Sequence, residues 1–214
     1  MSATPGLRER KKQQTRQAIA DTARRLFSER GFDAVTVAEI ARAADVAEKT
    51  VFNYFPTKED LFYSRLEAFE EELLAAIRGR PGGESAIAAF RDFVMARRGV
   101  FDMSDEDATE QLRTITRVIT GSPALLARER EVLGRYTAAL AALLAEETGA
   151  GADALEPRVV AEALIGVHRS LIDYVRRRTL AGDDDLDRLG RDLRTQTKRA
   201  LRRLEAGLAS YGRR

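Results

Sequence analysis

The chain has 214 residues, no Cys, no Trp and a single His. This excludes disulfides, thiolate metal sites, Fe–S clusters and Cys nucleophiles, and leaves too few ligands for a His-built zinc site. Apolar residues make up 44% and charged residues 33%, the balance of a globular protein with a real core rather than of a disordered or fibrous one. No stretch approaches the roughly 18 apolar residues of a membrane span, and the basic N-terminus has no apolar segment behind it to form a secretory signal. The expectation is a cytoplasmic protein that uses no membrane, metal or cofactor.

Charge is distributed unevenly. Lys and Arg outnumber Asp and Glu ten to seven over residues 1–56 and twelve to six over 176–214, while 57–175 carries fourteen against twenty-one. A basic N-terminal end on an acidic body fits a phosphate-facing surface, although a solvated helix face has the same composition.

Apolar residues recur every three or four positions, which predicts helix nearly throughout, with no strand pattern and no internal repeat. The first helix covers 8–30, with Ile19, Ala23, Leu26 and Phe27 on one face and Gly31 as its stop. A short second helix starts at the capping box Thr36-Val37-Ala38-Glu39 and ends near Ala44. A third covers 48–54, is broken by Pro56, and is followed by a helix over 57–78 opened by Thr57-Lys58-Glu59-Asp60. After the loop Arg80-Pro81-Gly82-Gly83, helices are predicted over 84–99, 104–120, 123–147, 156–181 and 185–210, with a Gly- and Ala-rich linker at 148–154. The fold class is all-α with about nine helices. An N-terminal domain over 1–56, carrying a flexible basic arm over 1–10, precedes a helical body over 57–214.

Residues 37–54 carry the most information. Ala41 is small where two short helices must approach closely. Asp45 stands in the turn, where positive φ is needed and Asp is tolerated better than most residues. Val46 and Val51 fix the angle between the helices, with Ile40 and Phe55 beneath them. This is the pattern of a helix-turn-helix, whose second helix enters the DNA major groove.

The segment TRQAIADTARRLFSERGFDAVTVAEIARAADVAEKTVFNYFPTKEDLF, residues 15–62, resembles the TetR family of bacterial regulators. The resemblance rests on Arg30-Gly31-Phe32, Thr36-Val37, Ile40-Ala41, Val46, Thr50-Val51-Phe52, Tyr54-Phe55 and Lys58-Glu59-Asp60-Leu61. Three positions depart from it: Asp45 replaces the frequent turn Gly, Ala47 stands where a capping Ser is common, and Asn53 replaces a bulkier aromatic or His.

The resemblance, with side-chain chemistry, implies operator DNA as a partner. Thr36 is a candidate phosphate contact at a helix N-terminus. Lys49, Thr50 and Asn53 are candidates for base edges: Asn53 for adenine, Thr50 for a thymine methyl, Lys49 for guanine or phosphate. Tyr54, Lys58 and Arg16 are candidates for gripping the backbone, and the basic segment 8–12 for salt-dependent affinity.

For the body, the resemblance implies a homodimer through helices 156–181 and 185–210. Val160, Leu164, Val167, Leu171 and Tyr174 form one apolar seam, and Leu186, Leu189, Leu193, Ala200, Leu204 and Leu208 the other; an intramolecular core has the same pattern. It also implies a pocket for a small-molecule effector, for which Phe93, Phe101, Arg117, Tyr136 and His168 are candidate contacts. An acyl-CoA-like molecule fits a Phe- and Met-lined channel with Arg at its mouth; other apolar metabolites or drugs fit it too. His168 equally suits a satisfied interior or interface group. The implied function is a ligand-responsive regulator, a repressor by expectation. Alternatives are an architectural DNA-binding protein without an effector and an α-helical enzyme; no nucleophile–base pair, metal constellation or phosphate loop supports the last.

Overall fold

The structure, a computed structural model, describes residues 6–96, 106–151, 153–183 and 185–208; at 7–9, 65–68, 106–109 and 111 it describes the backbone alone. All regular structure among the described residues is helical. In chain order the helices are α1 Leu7–Arg30, α2 Val37–Ala43, α3 Glu48–Tyr54, α4 Lys58–Phe62, α5 Ser64–Arg78, α6 Ala86–Ala96, α7 Glu106–Gly121, α8 Pro123–Thr148, α9 Glu156–Leu180 and α10 Leu186–Leu208. Among the described residues the helices number ten, and the one expected over 57–78 is divided in two. At Tyr63 the backbone turns to φ −90°, ψ 14°, and α4 closes as the Tyr63 N–H bonds the Glu59 carbonyl. The ring of Tyr63 is buried, and its hydroxyl donates to the carbonyl of Leu125 at 3.1 Å.

Local chemistry sets the helix ends. Gly31, at φ 82°, takes a conformation that side chains disfavour, and its N–H closes α1 on the Phe27 carbonyl. Thr36 with Glu39 caps α2, and Thr57 with Asp60 caps α4, each as a reciprocal box. Ala47 leaves α3 without a side-chain cap, as the sequence predicts. Pro123 opens α8, where a missing N–H costs nothing.

The chain divides into two compact units. The first comprises the residues through Glu67 together with Arg117–Arg128, the end of α7 and the start of α8. Ile19, Phe27, Val35, Ile40, Val51, Phe55 and Leu125 are essentially fully buried in its core. Phe27, Phe32 and Phe62 form a ring cluster with centroids 5.1–5.9 Å apart. Truncating a buried Phe of this kind costs about 3–5 kcal/mol.

The second unit comprises Ala68–Thr116 and the chain from Glu129 onward. Its interior holds Leu73, Ile77, Ile87, Phe90, Leu140, Leu144, Leu164, Leu189 and Leu193. It also buries charge. Arg80 Nη1 and Nη2 both engage Glu147, at 3.1 and 2.6 Å, with the two side chains 1% and 8% exposed. Arg80 Nε donates to the Glu84 carbonyl within the turn after α5, and the Glu147 pair ties that turn to the end of α8. Arg176 and Glu129 form a second bidentate pair, 2.7 Å on each arm.

Candidate functional site

The turn between α2 and α3 is built as its residues require. Asp45 adopts φ 54° and is the one non-glycine residue with positive φ among those described. The Val46 N–H then reaches back to the Ala41 carbonyl at 3.0 Å. Ala41 is buried, so the two short helices meet at a small side chain, while Val51 and Phe55 plug α3 into the core. One face of α3 is thereby committed inward. Glu48, Lys49, Phe52 and Asn53 are left exposed, and Thr50 and Tyr54 are half-buried, Tyr54 packed against the core.

Two of the cations expected at the backbone are held against rings. The Lys58 ammonium lies 4.2 Å from the centroid of Phe32, and the Arg16 guanidinium 4.8 Å from that of Phe55. The stems cover apolar surface and the charges are positioned at the edge of the same core that seats α3. Lys11 and Lys12 are exposed on α1, while the side chain of Arg8 lies outside the described residues.

Thr36 is more engaged than a bare helix N-terminus. Its N–H and hydroxyl both donate to Glu39, at 2.8 and 2.9 Å, and its hydroxyl oxygen accepts from the Glu39 N–H at 3.2 Å. Arg30 adds a 2.8 Å ion pair to the other oxygen of Glu39. The Thr36 N–H and the Arg30 guanidinium, with the Thr36 hydroxyl, hold the Glu39 carboxyl down to about 2. Asp60 does similar work for α4. Its Oδ2 takes the Thr57 N–H and hydroxyl, and its Oδ1 takes Arg128 Nε at 3.0 Å and Nη2 at 2.5 Å. The helix after α3 is thus pinned to the first turns of α8, within one compact unit.

Of the residues expected at an effector site, the structure brings three together. The rings of Phe93, Tyr136 and His168 all pack on Phe69, with centroids 5.3, 6.0 and 4.2 Å away, His168 stacked nearly parallel to it. Tyr136 and Phe69 are buried, and Phe93 and His168 half-buried. Phe69 was missed by the sequence reading. It sits on one apolar helix face with Leu73 and Ile77, a position that reads as plain core until its neighbours are known. Arg117 is not part of this group: it is exposed and belongs to the first unit. Phe101 lies outside the described residues.

The two C-terminal seams separate in use. Leu186, Leu189 and Leu193 close on Val175 in an intrachain cluster, and Val160, Leu164 and Val167 are buried. What remains outward is a groove of about 740 Å³ between α9 and α10, lined among others by Ala163, Gly166, Leu171, Tyr174, Ala200 and Leu204.

Residues 19–64 match the bacterial regulatory proteins of the tetR family, and residues 85–209, more than half of the chain, match the MftR C-terminal domain. Over 192 residues the chain is 33% identical to the HTH-type transcriptional regulator TcmR of Streptomyces glaucescens, covering 86% of this chain and 82% of TcmR. It is 28% identical over 165 residues to the mycofactocin biosynthesis transcriptional regulator MftR of Mycobacterium tuberculosis, covering 77% and 81%. The solved structure of NalD, the secondary repressor of the MexAB-OprM multidrug efflux pump in Pseudomonas aeruginosa, superposes with a TM-score of 0.53 at 22% identity, covering 88% of this chain and 97% of NalD. At that identity the likeness concerns the fold alone.

Proposed function

Because this chain belongs to the TetR family of bacterial regulatory proteins, with a C-terminal domain of the MftR type, we propose that it acts as a homodimeric repressor released from a palindromic operator by a small apolar or acyl-CoA-like effector. The carrying observation is the left-handed turn at Asp45, which seats Val51 in the core and turns Lys49 and Asn53 outward on one face of α3. In this reading Asn53, Thr50 and Lys49 meet base edges, and Arg16, Thr36, Tyr54 and Lys58 meet the backbone. Residues 1–56 are the DNA-binding domain and 57–214 bind the effector and the second copy.

Two copies follow from DNA geometry, since successive major grooves on one face lie about 34–36 Å apart and one recognition helix serves one half-site. The outward groove between α9 and α10, where Ala163, Gly166, Leu171 and Leu204 lie among Arg169, Ser170, Arg177 and Gln196, is the surface offered to that copy. Phe69, Phe93, Tyr136 and His168 supply the apolar lining for the effector. Residues 117–128, which close α7 and open α8, belong to the first compact unit and grip α4 through Arg128, so displacement of these two helices by an effector reaches the DNA-binding residues along continuous backbone. A hundredfold loss of operator affinity needs about 2.7 kcal/mol of coupling, within the usual range.

The test has two arms. On an operator selected from random duplexes, Asn53→Ala relaxes base preference, whereas Lys58→Ala weakens all duplexes alike and flattens the salt slope. Equal losses on selected and random DNA from both variants contradict this division. Thermal melting against acyl-CoAs of increasing length, with free CoA and free fatty acids as controls, then reads the effector. A shift that grows with chain length and is absent for both controls supports the acyl-CoA reading; no shift removes it and leaves uncharged apolar compounds.

A further inference from the structure

The last helix carries a concentration of charge that the fold does not use. From Arg191 to Arg203, α10 holds six cations, Arg191, Arg194, Lys198, Arg199, Arg202 and Arg203, against one carboxylate, Asp192. That carboxylate lies 3.4 Å from Arg178, and the next along the helix, Glu205, is paired with Arg91 of α6. Among the described residues no carboxylate pairs with Lys198, Arg199, Arg202 or Arg203, and all four are exposed. Their spacing costs stability. Lys198 with Arg202, and Arg199 with Arg203, are like charges at i, i+4, an arrangement that destabilises a helix. None stands in the last turn, where the helix dipole favours a cation. Packing does not require them either, since the buried side of α10 is built from Leu189, Leu193, Thr197 and Leu201. Arg199, Arg202 and Arg203 nevertheless line one concavity of about 440 Å³, with Arg202 Nε turned back onto the Lys198 carbonyl at 3.3 Å.

We infer that this concavity is a binding site for a compact oligophosphate, a chain of two or three linked phosphates, free or carried by a small molecule. Its volume falls within the range of small-molecule sites, about 300–1,000 Å³, but a wall of guanidinium groups has nothing to offer an apolar ligand. Three cations around one small volume require several negative charges close together. The planar donor fork of arginine matches phosphate oxygens two at a time, which a chain of linked phosphates supplies and a single carboxylate does not. A duplex is the poorer fit, because it spreads its charge along a line instead of gathering it in one concavity. A bound anion replaces repulsion along α10 by attraction, so the helix gains stability on binding. The site shares no residue with the cluster around Phe69 or with α3, and it does not rest on the effector or operator readings.

The experiment titrates tripolyphosphate into the full chain by calorimetry at fixed ionic strength, beside orthophosphate, citrate and adenosine triphosphate. Tripolyphosphate should bind more tightly than orthophosphate or citrate and raise the melting temperature. Equal binding of adenosine triphosphate assigns recognition to the phosphate chain alone, and tighter binding assigns it to a phosphate chain carried by a nucleoside; either sustains the site. Each of Arg199→Gln, Arg202→Gln and Arg203→Gln should weaken tripolyphosphate about fivefold, the upper range of an exposed ion pair. Arg199→Lys, which keeps the charge and loses the fork, should recover part of that loss. Without ligand the three glutamine variants should melt no lower than the native protein, since each removes a repulsion. Binding of tripolyphosphate no tighter than citrate at the same ionic strength overturns the inference, because it reduces the effect to general screening. A loss from Lys58→Gln as large as that from Arg199→Gln also overturns it, since the anion would then sit on the DNA-facing surface. Sedimentation equilibrium and anisotropy on random duplex read the rivals. If the triple glutamine variant binds tripolyphosphate as the native protein does, and alters instead self-association or duplex affinity, these arginines serve a second copy or DNA and the oligophosphate site is rejected.

Discussion

In the first unit the named cations stay at the edge: Arg16 and Lys58 lie over the rings of Phe55 and Phe32, and Asp60, buried to 6% exposure, is the carboxylate brought inside. In the second unit guanidinium and carboxylate go in together, Arg80 with Glu147 at 1% and 8% exposure and Arg176 with Glu129 at 14% and 10%. The consequences differ. A surface cation over a ring costs little to change and can be spent on an anionic partner, whereas a buried pair tolerates the loss of neither member. The unit that meets DNA therefore keeps its chemistry replaceable at the surface, and the unit that holds its helices together by ion pairs keeps them out of reach of salt.

The sharpest way to break this contrast is Arg80→Met, which strands the Glu147 carboxylate in the interior. We expect a loss of about 3–5 kcal/mol in urea unfolding, most of it recovered when Glu147→Leu is added. A loss near zero for the single variant would make the pair no different from a surface one. Arg128→Met removes two hydrogen bonds from the buried Asp60 and should cost about 2 kcal/mol, less because Arg128 is 23% exposed. Far-ultraviolet circular dichroism across a denaturant series reads both changes, and the order Arg80 before Arg128 is the result expected.

Thr36→Ala deletes one half of a capping box on the surface of the first unit and should cost about 1 kcal/mol. The smallest effect is one of pH. The Glu39 carboxyl is held down to about 2 from its ordinary 4.5, so its contribution is complete above pH 4.5 and is lost as pH falls toward 2. Glu39→Gln should flatten the stability profile of the native protein in that window and leave it unchanged in shape above. A profile that falls equally steeply in both proteins would show that other carboxylates govern it.

How much was legible depended on how local the determinant was. The start of α2 could be read from Thr36 and Glu39 alone, and the turn from Asp45 with Ala41 and Val46, because each is closed by atoms within a few residues. The division of the helix at Tyr63 was not legible: no Gly or Pro marks it, and the hydrogen-bond partner of the Tyr63 hydroxyl, the Leu125 carbonyl, lies 62 positions away. Phe93, Tyr136 and His168 could be named as candidates from composition and spacing. Phe69, the ring on which all three converge, could not be told from Leu73 or Ile77 on the same face.

The sequence by itself determined the all-α class, the helix-turn-helix and the outward placement of Lys49 and Asn53 on α3. Helical periodicity, capping chemistry and the φ preference of single residues act over less than two turns. Only the tertiary structure decided that residues 117–128 join the first unit, that Asp60 meets Arg128 and Arg80 meets Glu147 across 68 and 67 positions, and that the upper part of the α10 seam serves the chain's own core. A period of 3.6 fixes which face of a helix is apolar; it carries no information about which other face will cover it.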